Sequence, residues 1–296
     1  MIALTTAKLL KSFTAVTLEL LGRNTTFSHR IKKRHTIFWS DPNAEDVRCT
    51  IMHATDPAEK WQDVENWQRK LSNKYNSREF ASKYGCKVAE LYWKGRNVSC
   101  IDFNHLPDHF VIRPTIGHSL NMVFVMRKSE NLMDGKTYSH DDIRQVLEKA
   151  LAENDRLEFL IEEFVRTEAG DYKIPDDYKL YMFNGKIACI QVINRENNKK
   201  GYTSWYDENW NPLPNLTTNF PDGESQPRPA CFDEMVEYAR RLSEAYKIFI
   251  RIDLYGTDKG AIFGEVTPTP ALGKGFTPFA EKLFNKYWDQ FCKGMI

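Results

Sequence analysis

The chain has 296 residues, with 41 Lys and Arg against 40 Asp and Glu, so its formal net charge is +1. Its 42% apolar and 27% charged residues are close to the averages of globular proteins, which excludes a chain that is disordered, collagen-like or coiled-coil throughout. The length favours two domains, or one large domain with several lobes.

Positive charge is concentrated at the start of the chain. Residues 1–35 carry seven Lys and Arg against a single acid, a charge of +6, which leaves −5 for the remaining residues. A mildly acidic body argues against a general nucleic-acid-binding protein. Six scattered cysteines without a Cys-x-x-Cys pair indicate a reducing compartment, and no run reaches the ~18 apolar residues of a membrane span, so we expect a cytoplasmic protein.

The first 35 residues combine an apolar stripe with a basic run. Leu9, Phe13, Val16 and Leu20 recur at steps of three or four, which predicts a helix. This helix has two interpretations. It packs on the domain as an ordinary core-facing helix, or it lies on anionic lipid at the inner face of the membrane, where the basic run 30–35 would strengthen binding.

Helical and extended patterns follow one another irregularly along the rest of the chain. Apolar spacings predict a helix over 57–84, and Ser139 or His140 caps a helix that runs to Ala152. Asn184-Gly185 between two apolar runs is a strong signal for a β-hairpin. The further predicted strands are 88–93, 98–103, 110–113, 122–126, 158–165, 178–183, 186–194, 248–255 and 261–266, and the further predicted helices are 232–246 and 278–292. Antiparallel hairpins mixed with helices place the fold in the α+β class.

The last two predicted strands carry the most informative charges. Residues two apart on a strand share a face, so Arg251 points the same way as Asp253, and Glu265 the same way as Thr267. If the two strands pair, Asp253 and Glu265 approach each other and form a hard-oxygen site suited to Mg²⁺, beside an arginine that can bind a phosphoryl oxygen. The alternative is a surface hairpin with ordinary cross-strand charge pairs.

Charged positions upstream extend this pattern. Arg113 ends a strand before a turn-prone loop that contains Gly117, and Lys179 precedes the Asn-Gly turn. In this order of parts the chain resembles the ATP-grasp amidoligases associated with teichuronopeptide and cell-surface polysaccharide synthesis. The motifs that carry the resemblance are LPDHFVIRP (Leu106–Pro114), IEEFV (Ile161–Val165), PDDYKLYMFNGK (Pro175–Lys186) and RIDLYGTDKGAIFGEVTPTPALG (Arg251–Gly273), with a weaker echo in KLSNKYNSREFASKYG (Lys70–Gly85).

The resemblance implies an ATP-grasp fold, in which two α+β subdomains clamp ATP. The residues implied to bind the nucleotide are Glu162, Glu163 and Val165 at the adenine hinge and Arg113, Lys179 and Lys128 on the phosphates. The residues implied to act in catalysis are Arg251, Lys179 and Arg113, and those implied to bind Mg²⁺ are Asp253, Glu265 and Thr267. The implied division of the chain is an amphipathic helix and basic segment (1–35), an N-terminal region (36–105) and the ATP-grasp domain (106–296).

The resemblance implies an ATP-dependent ligase that joins a carboxylate to an amine through an acyl phosphate. The carboxylate would belong to a uronic acid of a cell-surface polysaccharide or its precursor, and the amine to an amino acid. Three positions depart from the family pattern: Arg113 replaces a lysine, the glycine-rich loop retains only Gly117, and Thr267 stands where most ATP-grasp enzymes have Asn. Two alternatives therefore stay open, a kinase on the same scaffold and a non-catalytic module that binds a nucleotide or a glycan.

Overall fold

The computed structural model describes residues 25–117, 122–197 and 199–293. The helices are α1 (Phe27–Ser40), α2 (Ala44–Cys49), α3 (Ala58–Trp61), α4 (Lys74–Lys83), α5 (His140–Glu153), α6 (Phe232–Tyr246) and α7 (Pro278–Phe291), with short 3₁₀ helices at Trp67–Ser72, Val98–Cys100, Phe103–His105 and Pro270–Gly273. The strands are β1 (Leu91–Gly95), β2 (His109–Pro114), β3 (Phe124–Arg127), β4 (Glu130–Asn131), β5 (Lys136–Thr137), β6 (Phe159–Glu163), β7 (Asp177–Phe183), β8 (Lys186–Arg195), β9 (Gly201–Tyr206), β10 (Pro212–Leu213), β11 (Phe249–Thr257) and β12 (Gly260–Thr267).

The strands form two six-stranded sheets. The first sheet has the order β1-β6-β2-β3-β4-β5, and the second has the order β10-β9-β8-β7-β11-β12. Neighbouring strands within each sheet run antiparallel. The α+β class predicted from the hairpin pattern is confirmed.

The first sheet has one buried face and one face that carries charge. Its apolar face packs on α5, where Phe110 and Ile112 of β2 share a core with Ile143 and Leu147. Because successive side chains of a strand point to opposite faces, Arg113 lies on the other face, away from this core. The alternation of β2 therefore directs its terminal cation away from α5.

The second sheet is covered unequally. The amphipathic helix α6 packs on one face, while α1 and α7 cover only part of the other, around Phe183 and Phe249. Further along the same two strands, Lys179 and Asp253 occupy the face that these two helices do not cover. Because alternate residues of a strand share a face, this one face carries aromatic residues at one end and charged residues at the other.

Several local predictions are confirmed. Asn184 and Gly185 join β7 to β8 with φ angles of 47° and 84°, both in the left-handed region that a tight hairpin turn requires. Ser139 caps α5, and its side chain and that of Asp142 bond reciprocally to the backbone of the first turn. The helix 232–246 has the predicted bounds.

Two predicted elements are wrong. The helix predicted over 57–84 is broken into α3, a 3₁₀ helix and α4, because Asn66 takes a left-handed φ of 55° and Asn73 caps a new helix with its side chain. The strand predicted over 98–103 is a pair of 3₁₀ turns. Most of the apolar side chains in both segments are buried, although Val64 is exposed, and polar side chains that bond to the local backbone interrupt the regular element.

The apolar stripe of residues 9–20 lies outside the described residues, but the basic run 30–35 falls within α1. This helix is continuous across the predicted boundary at residue 35, and it buries Phe27 and Ile31 in the core beneath the second sheet. Arg34 is also fully buried. The basic run is therefore partly structural rather than a separate surface segment.

The predicted N-terminal region, residues 36–105, also contributes to the first sheet. Strand β1 lies in this region and pairs with β6 of the predicted ATP-grasp domain. Within the described ranges, no helix is long and apolar enough to cross a membrane.

Candidate functional site

A cavity of about 1400 Å³ lies between the charged faces of the two sheets. It is lined from the first sheet by Arg113 and Glu162 and from the second sheet by Lys179, Arg251 and Asp253. Nine of the predicted site residues line this cavity: Arg113, Glu162, Glu163, Val165, Lys179, Arg251, Asp253, Glu265 and Thr267.

Strands β11 and β12 bring the predicted metal-binding residues together. Asp253 is the direct Cα partner of Glu265, and Arg251 is the partner of Thr267, so each pair shares the cavity face. On its other side Asp253 is the partner of Lys179 in β7. A row of charge therefore crosses three strands, from Lys179 through Asp253 to Glu265.

Asp253 is the most constrained carboxylate of the site. It is 1% exposed, and Arg251 binds both of its oxygens, with Nε donating to Oδ1 and Nη2 to Oδ2 at 2.8 Å each. Lys179 Nζ also donates to Oδ2. Burial alone would raise the pKa of Asp253, but Arg251 and Lys179 outweigh it and hold the pKa below its usual value.

Thr267 and Glu265 are held less tightly. Thr267 Oγ1 accepts a hydrogen bond of 2.9 Å from Arg251 Nη2. The side chain of Glu265 is 35% exposed, and the nearest cation is Lys74, whose Nζ lies 3.9 Å from Oε2. Glu265 therefore retains acceptor capacity for a ligand in the cavity.

Asp177 is a site residue that the sequence analysis missed. It lies on the same face of β7 as Lys179, and its Oδ2 pairs with Lys179 Nζ, whereas its Oδ1 is buried without a hydrogen-bond partner among the described residues. Burial, together with the nearby charge of Asp253, raises the pKa of Asp177 although Lys179 opposes the shift. The i, i+2 spacing from Lys179 is the sequence signal that could have identified it.

Arg113 is fixed by a buried ion pair. Its Nε donates to Glu162 Oε2 at 2.6 Å and its Nη1 donates to the carbonyl of Gly264 in β12 at 3.1 Å. Glu162, which is 3% exposed, also pairs with Arg78 through its other oxygen at 3.3 Å. The Glu162 carboxylate thus positions two arginines, and Arg113 links the first sheet to the second.

The residues that the resemblance implies at the adenine hinge lie beside an apolar slot. Glu163 pairs with Lys259 through its side chain, so it offers the cavity chiefly its backbone. Val165 is buried next to Phe164. The apolar side chains that cluster here and line the cavity are Val111, Val123, Val125, Met133, Phe164 and Ile174. A flat aromatic base fits such a slot, because pockets for small molecules are mostly apolar with a few polar groups that fix orientation.

The structure brings Lys74, rather than Lys128, to the other predicted residues. Lys128 lies in the turn between β3 and β4 and does not line the cavity. Lys74 lines it at the start of α4 and donates to the carbonyl of Gly117 at 3.1 Å. Burial and the neighbouring cations Arg113 and Arg48 lower the pKa of Lys74, although Glu265 opposes them. The motif Lys70–Gly85 contains this lysine and is the signal that could have located it.

The donor set of the hairpin suits a hard cation. Mg²⁺ in phosphoryl-transfer sites is bound by one or two carboxylates together with phosphate oxygens and water, and Asp253 and Glu265 supply two carboxylates from paired positions. Among the residues that the structure describes, no cluster of three or more His, Cys, Asp or Glu side chains has metal-binding geometry. The two carboxylates fit a cation that shares its coordination with a phosphorylated ligand.

The loop predicted to close over the nucleotide begins at Gly117. This glycine has a φ of 124°, a conformation that L side chains rarely adopt, and its carbonyl is held by Lys74. The following residues 118–121, with His118, lie outside the described part of the chain.

Two sheets thus enclose an apolar slot and a row of charged side chains. The TupA-like ATP-grasp family model matches residues 58–291, which is more than half of the chain. The protein belongs to this family, and its fold is the ATP-grasp fold. No curated protein matches the chain in sequence.

The solved structures that are similar to this chain include three of low sequence identity. A D-alanine–D-alanine ligase from Bacillus anthracis, solved with ATP, has a TM-score of 0.48 and 15% identity over 75% of this chain and 65% of its own. The corresponding ligase from Helicobacter pylori has a TM-score of 0.48 and 16% identity over 78% and 63%. The D-cycloserine synthetase DcsG has a TM-score of 0.48 and 13% identity over 79% and 76%. The chain thus spans less than two thirds of the length of the first two proteins.

Proposed function

We propose that the protein is an ATP-dependent ligase that joins a carboxylate to an amine through an acyl phosphate. The observation that carries the proposal is the row formed by Lys179, Asp253 and Glu265, with Arg251 and Arg113 beside it, at the end of an apolar slot. Adenine would occupy the slot along the hinge of Glu162, Glu163 and Val165, and the phosphates would lie on the charged row. The membership of the family supports this arrangement.

The proposed reaction has two steps. A carboxylate oxygen of the first substrate attacks the γ-phosphorus of ATP, the bond to the β-phosphate oxygen breaks, and ADP leaves. The amine then attacks the acyl carbon, loses a proton and displaces inorganic phosphate, which leaves an amide. Little covalent chemistry falls to the protein, so its contribution is positioning and neutralisation of charge.

Three cations would supply this neutralisation. Arg251, Lys179 and Arg113 are all buried at least in part and oriented by carboxylates, so they need little reorganisation when negative charge develops on the phosphoryl oxygens. Lys74 takes the place that the sequence analysis gave to Lys128 as the second phosphate-binding lysine. When bound, Mg²⁺ would be held by Asp253 and Glu265, with Thr267 near them, and would supply Lewis-acid stabilisation of the phosphate charge.

The substrates proposed here follow from the resemblance noted in the sequence. The carboxylate would be a uronic acid of a cell-surface polysaccharide or its precursor, and the amine an amino acid. The enzyme would work in the cytoplasm. Lys32 and Lys33, the exposed part of the basic run, would hold it near anionic lipid together with residues 1–24. We also propose that the chain is divided into three parts, with boundaries after residues 35 and 105.

The test is an ADP-release screen. Purified protein with Mg-ATP is mixed with a panel of uronates and amino acids, and products are identified by mass. The proposal predicts ADP release only when both substrates are present, with loss of one water from their summed mass. ADP release without an amine, with the phosphate retained on the acceptor, would identify a kinase. A thermal shift with Mg-ATP and no ADP release from any mixture would identify a non-catalytic module.

A further inference from the structure

The cavity is larger than a nucleotide site requires. Its volume of about 1400 Å³ exceeds the roughly 300–1,000 Å³ of ordinary small-molecule pockets. The additional wall is built by α1 and α2, which contribute His35, Trp39 and Arg48. These helices precede the segment matched by the family model, which begins at residue 58. This wall is therefore a feature of the chain that neither the matched motifs nor the proposed ATP contacts explain.

Arg48 is the central residue of this wall. Its guanidinium lies over the Trp39 ring, with the central carbon 5.1 Å from the ring centroid. Nη2 pairs with Glu45, while Nε is buried and has no hydrogen-bond partner in the described part of the chain. Stacking on an indole fixes the plane of a guanidinium, so an oxoanion could be bound with defined geometry.

His35 provides a second polar atom on the same wall. It lies one turn before Trp39 on α1, with 6.4 Å between the two ring centroids. Its Nδ1 is likewise buried without a partner among the described residues. A buried polar atom of this kind is costly to leave unsatisfied. His35 and Arg48 thus line the cavity on either side of Trp39 in the sequence, and each keeps a polar atom without a partner in the described part of the chain.

The charge of this wall favours a negatively charged ligand. Arg48 lines the same cavity as Lys74 and Arg113. Lys74 in turn contacts Glu265, one of the proposed Mg²⁺ ligands. Positive charge therefore extends from the proposed phosphate site to Arg48, so an anionic group bound at Arg48 would belong to a molecule that reaches the reacting centre.

We propose that Arg48, with His35 and Trp39, forms a subsite for an oxoanion, a carboxylate or phosphate, of the sugar substrate that is joined to the amine. The proposal rests on the ligase function above, because it assigns the nucleotide to the slot and leaves this wall to the molecule that is joined. Arg48 binds the oxoanion through its stacked guanidinium, Trp39 holds that guanidinium, and His35 contributes a further hydrogen bond.

The test is probe binding by saturation-transfer NMR on the full-length protein, with and without Mg²⁺ and a non-hydrolysable ATP analogue. D-glucuronate and glucose 1-phosphate represent the two oxoanions, and D-glucose is the neutral probe. Arg48→Met is expected to raise the apparent Kd of at least one anionic probe tenfold or more, because a hydrogen bond to a charged group is lost. Arg48→Lys keeps the charge without the planar fork and is expected to recover only part of the binding. The matched control is Arg156→Met, since Arg156 pairs with Asp46 of α2 at 2.6 Å and does not line the cavity.

Each outcome separates the subsite from the ligase function. The proposal is supported if the anionic probes bind Arg48→Met more weakly than the wild type while the ATP analogue binds both proteins equally. The probe whose binding changes shows whether the subsite takes a carboxylate or a phosphate. It is overturned if neither anion binds the wild type, or if both bind Arg48→Met unchanged. It is also overturned if Arg48→Met weakens binding of the ATP analogue by the same factor as binding of the anionic probes, since Arg48 would then belong to the nucleotide site. Failure of the wild type to bind the analogue would refute the ligase function, while the nucleotide-free arm still tests the subsite.

Discussion

The two paired carboxylates of the hairpin should respond differently to loss of charge. Asp253 is buried and bound by Arg251 and Lys179, so Asp253→Asn leaves two buried cations short of a partner. Removing one member of a buried ion pair costs about 3–5 kcal/mol of unfolding free energy. Glu265 is partly exposed and its nearest cation is 3.9 Å away, so Glu265→Gln is expected to cost only about 0–1 kcal/mol.

Activity should separate from stability in these variants. Glu265→Gln removes a proposed Mg²⁺ ligand while leaving the fold intact, so we expect near-wild-type urea unfolding but loss of ADP release and of the Mg²⁺-dependent part of the thermal shift with ATP. Glu130→Gln is the matched control, because Glu130 is also a partly exposed acid, pairs with Arg127 at 2.8 Å and does not line the cavity. The reasoning is refuted if Glu265→Gln keeps the Mg²⁺-dependent shift, or if Asp253→Asn proves no less stable than Glu265→Gln.

Three further predictions concern Lys74, Arg34 and the start of the chain. Lys74→Met should weaken ATP binding about 10- to 100-fold, since a charge-assisted contact is lost. The pKa of Lys74 in the free protein is lower than usual. We therefore expect the ATP affinity of the wild type to fall as the pH rises through this pKa, because Lys74 then loses its positive charge. Arg34→Met should lower the unfolding free energy by about 1–3 kcal/mol, because Arg34 Nη1 donates to the carbonyls of Phe249 and Pro268 at the ends of β11 and β12. Deletion of residues 2–24 should abolish binding to anionic vesicles and spare ATP binding.

Each of these predictions has its own control. Lys128→Met should leave ATP affinity unchanged, and a stronger effect there than in Lys74→Met would restore Lys128 as the phosphate lysine. Calorimetric titration at several pH values measures both lysine variants. For Arg34, the control is urea unfolding of the variant Lys32→Met, since Lys32 is exposed. Equal unfolding free energies for Arg34→Met and Lys32→Met would contradict the role of Arg34 in binding the two carbonyls. For vesicles, sedimentation with neutral lipid is the control, and unchanged binding of the truncated chain would contradict membrane contact. The truncation stops at residue 24 because Phe27, Ile31 and Arg34 are part of the core.

Local sequence signals predicted the part of the site that lies within one hairpin. Strand alternation placed Arg251 and Asp253 on one face. The observed pairing of Asp253 with Glu265 also needs a register shift between Asp253 and Leu254, because the register set at the turn between β11 and β12 would pair Asp253 with Gly264. The Asn184-Gly185 turn likewise fixes the register only as far as Met182, and a second register shift lies between the turn and Lys179. The period of a strand and the φ angles of a turn therefore predict the hairpins and the shared faces, but not these two register shifts.

Contacts between distant segments were not predictable in this way. Lys74 reaches the cavity because α4 packs beside β12, and the continuous periodicity of 57–84 concealed the break at Asn73 that orients this helix. Arg48 lines the cavity through its stacking on Trp39 of a different helix. The basic run around Arg34 was interpreted from charge alone, whereas the carbonyls that bind it lie more than 200 residues away in sequence. Pattern and spacing carry no information about such pairings.

The most direct measurement follows the oxygen atoms of the carboxylate. An ¹⁸O-labelled uronate that supports ADP release is incubated with Mg-ATP, an amino acid and the purified protein, and the released phosphate is analysed by mass spectrometry. Ligation through an acyl phosphate predicts one ¹⁸O atom in each inorganic phosphate, together with an amide that has lost that oxygen. Release of unlabelled phosphate, or phosphate that remains on the uronate in the presence of the amine, would contradict the proposed function.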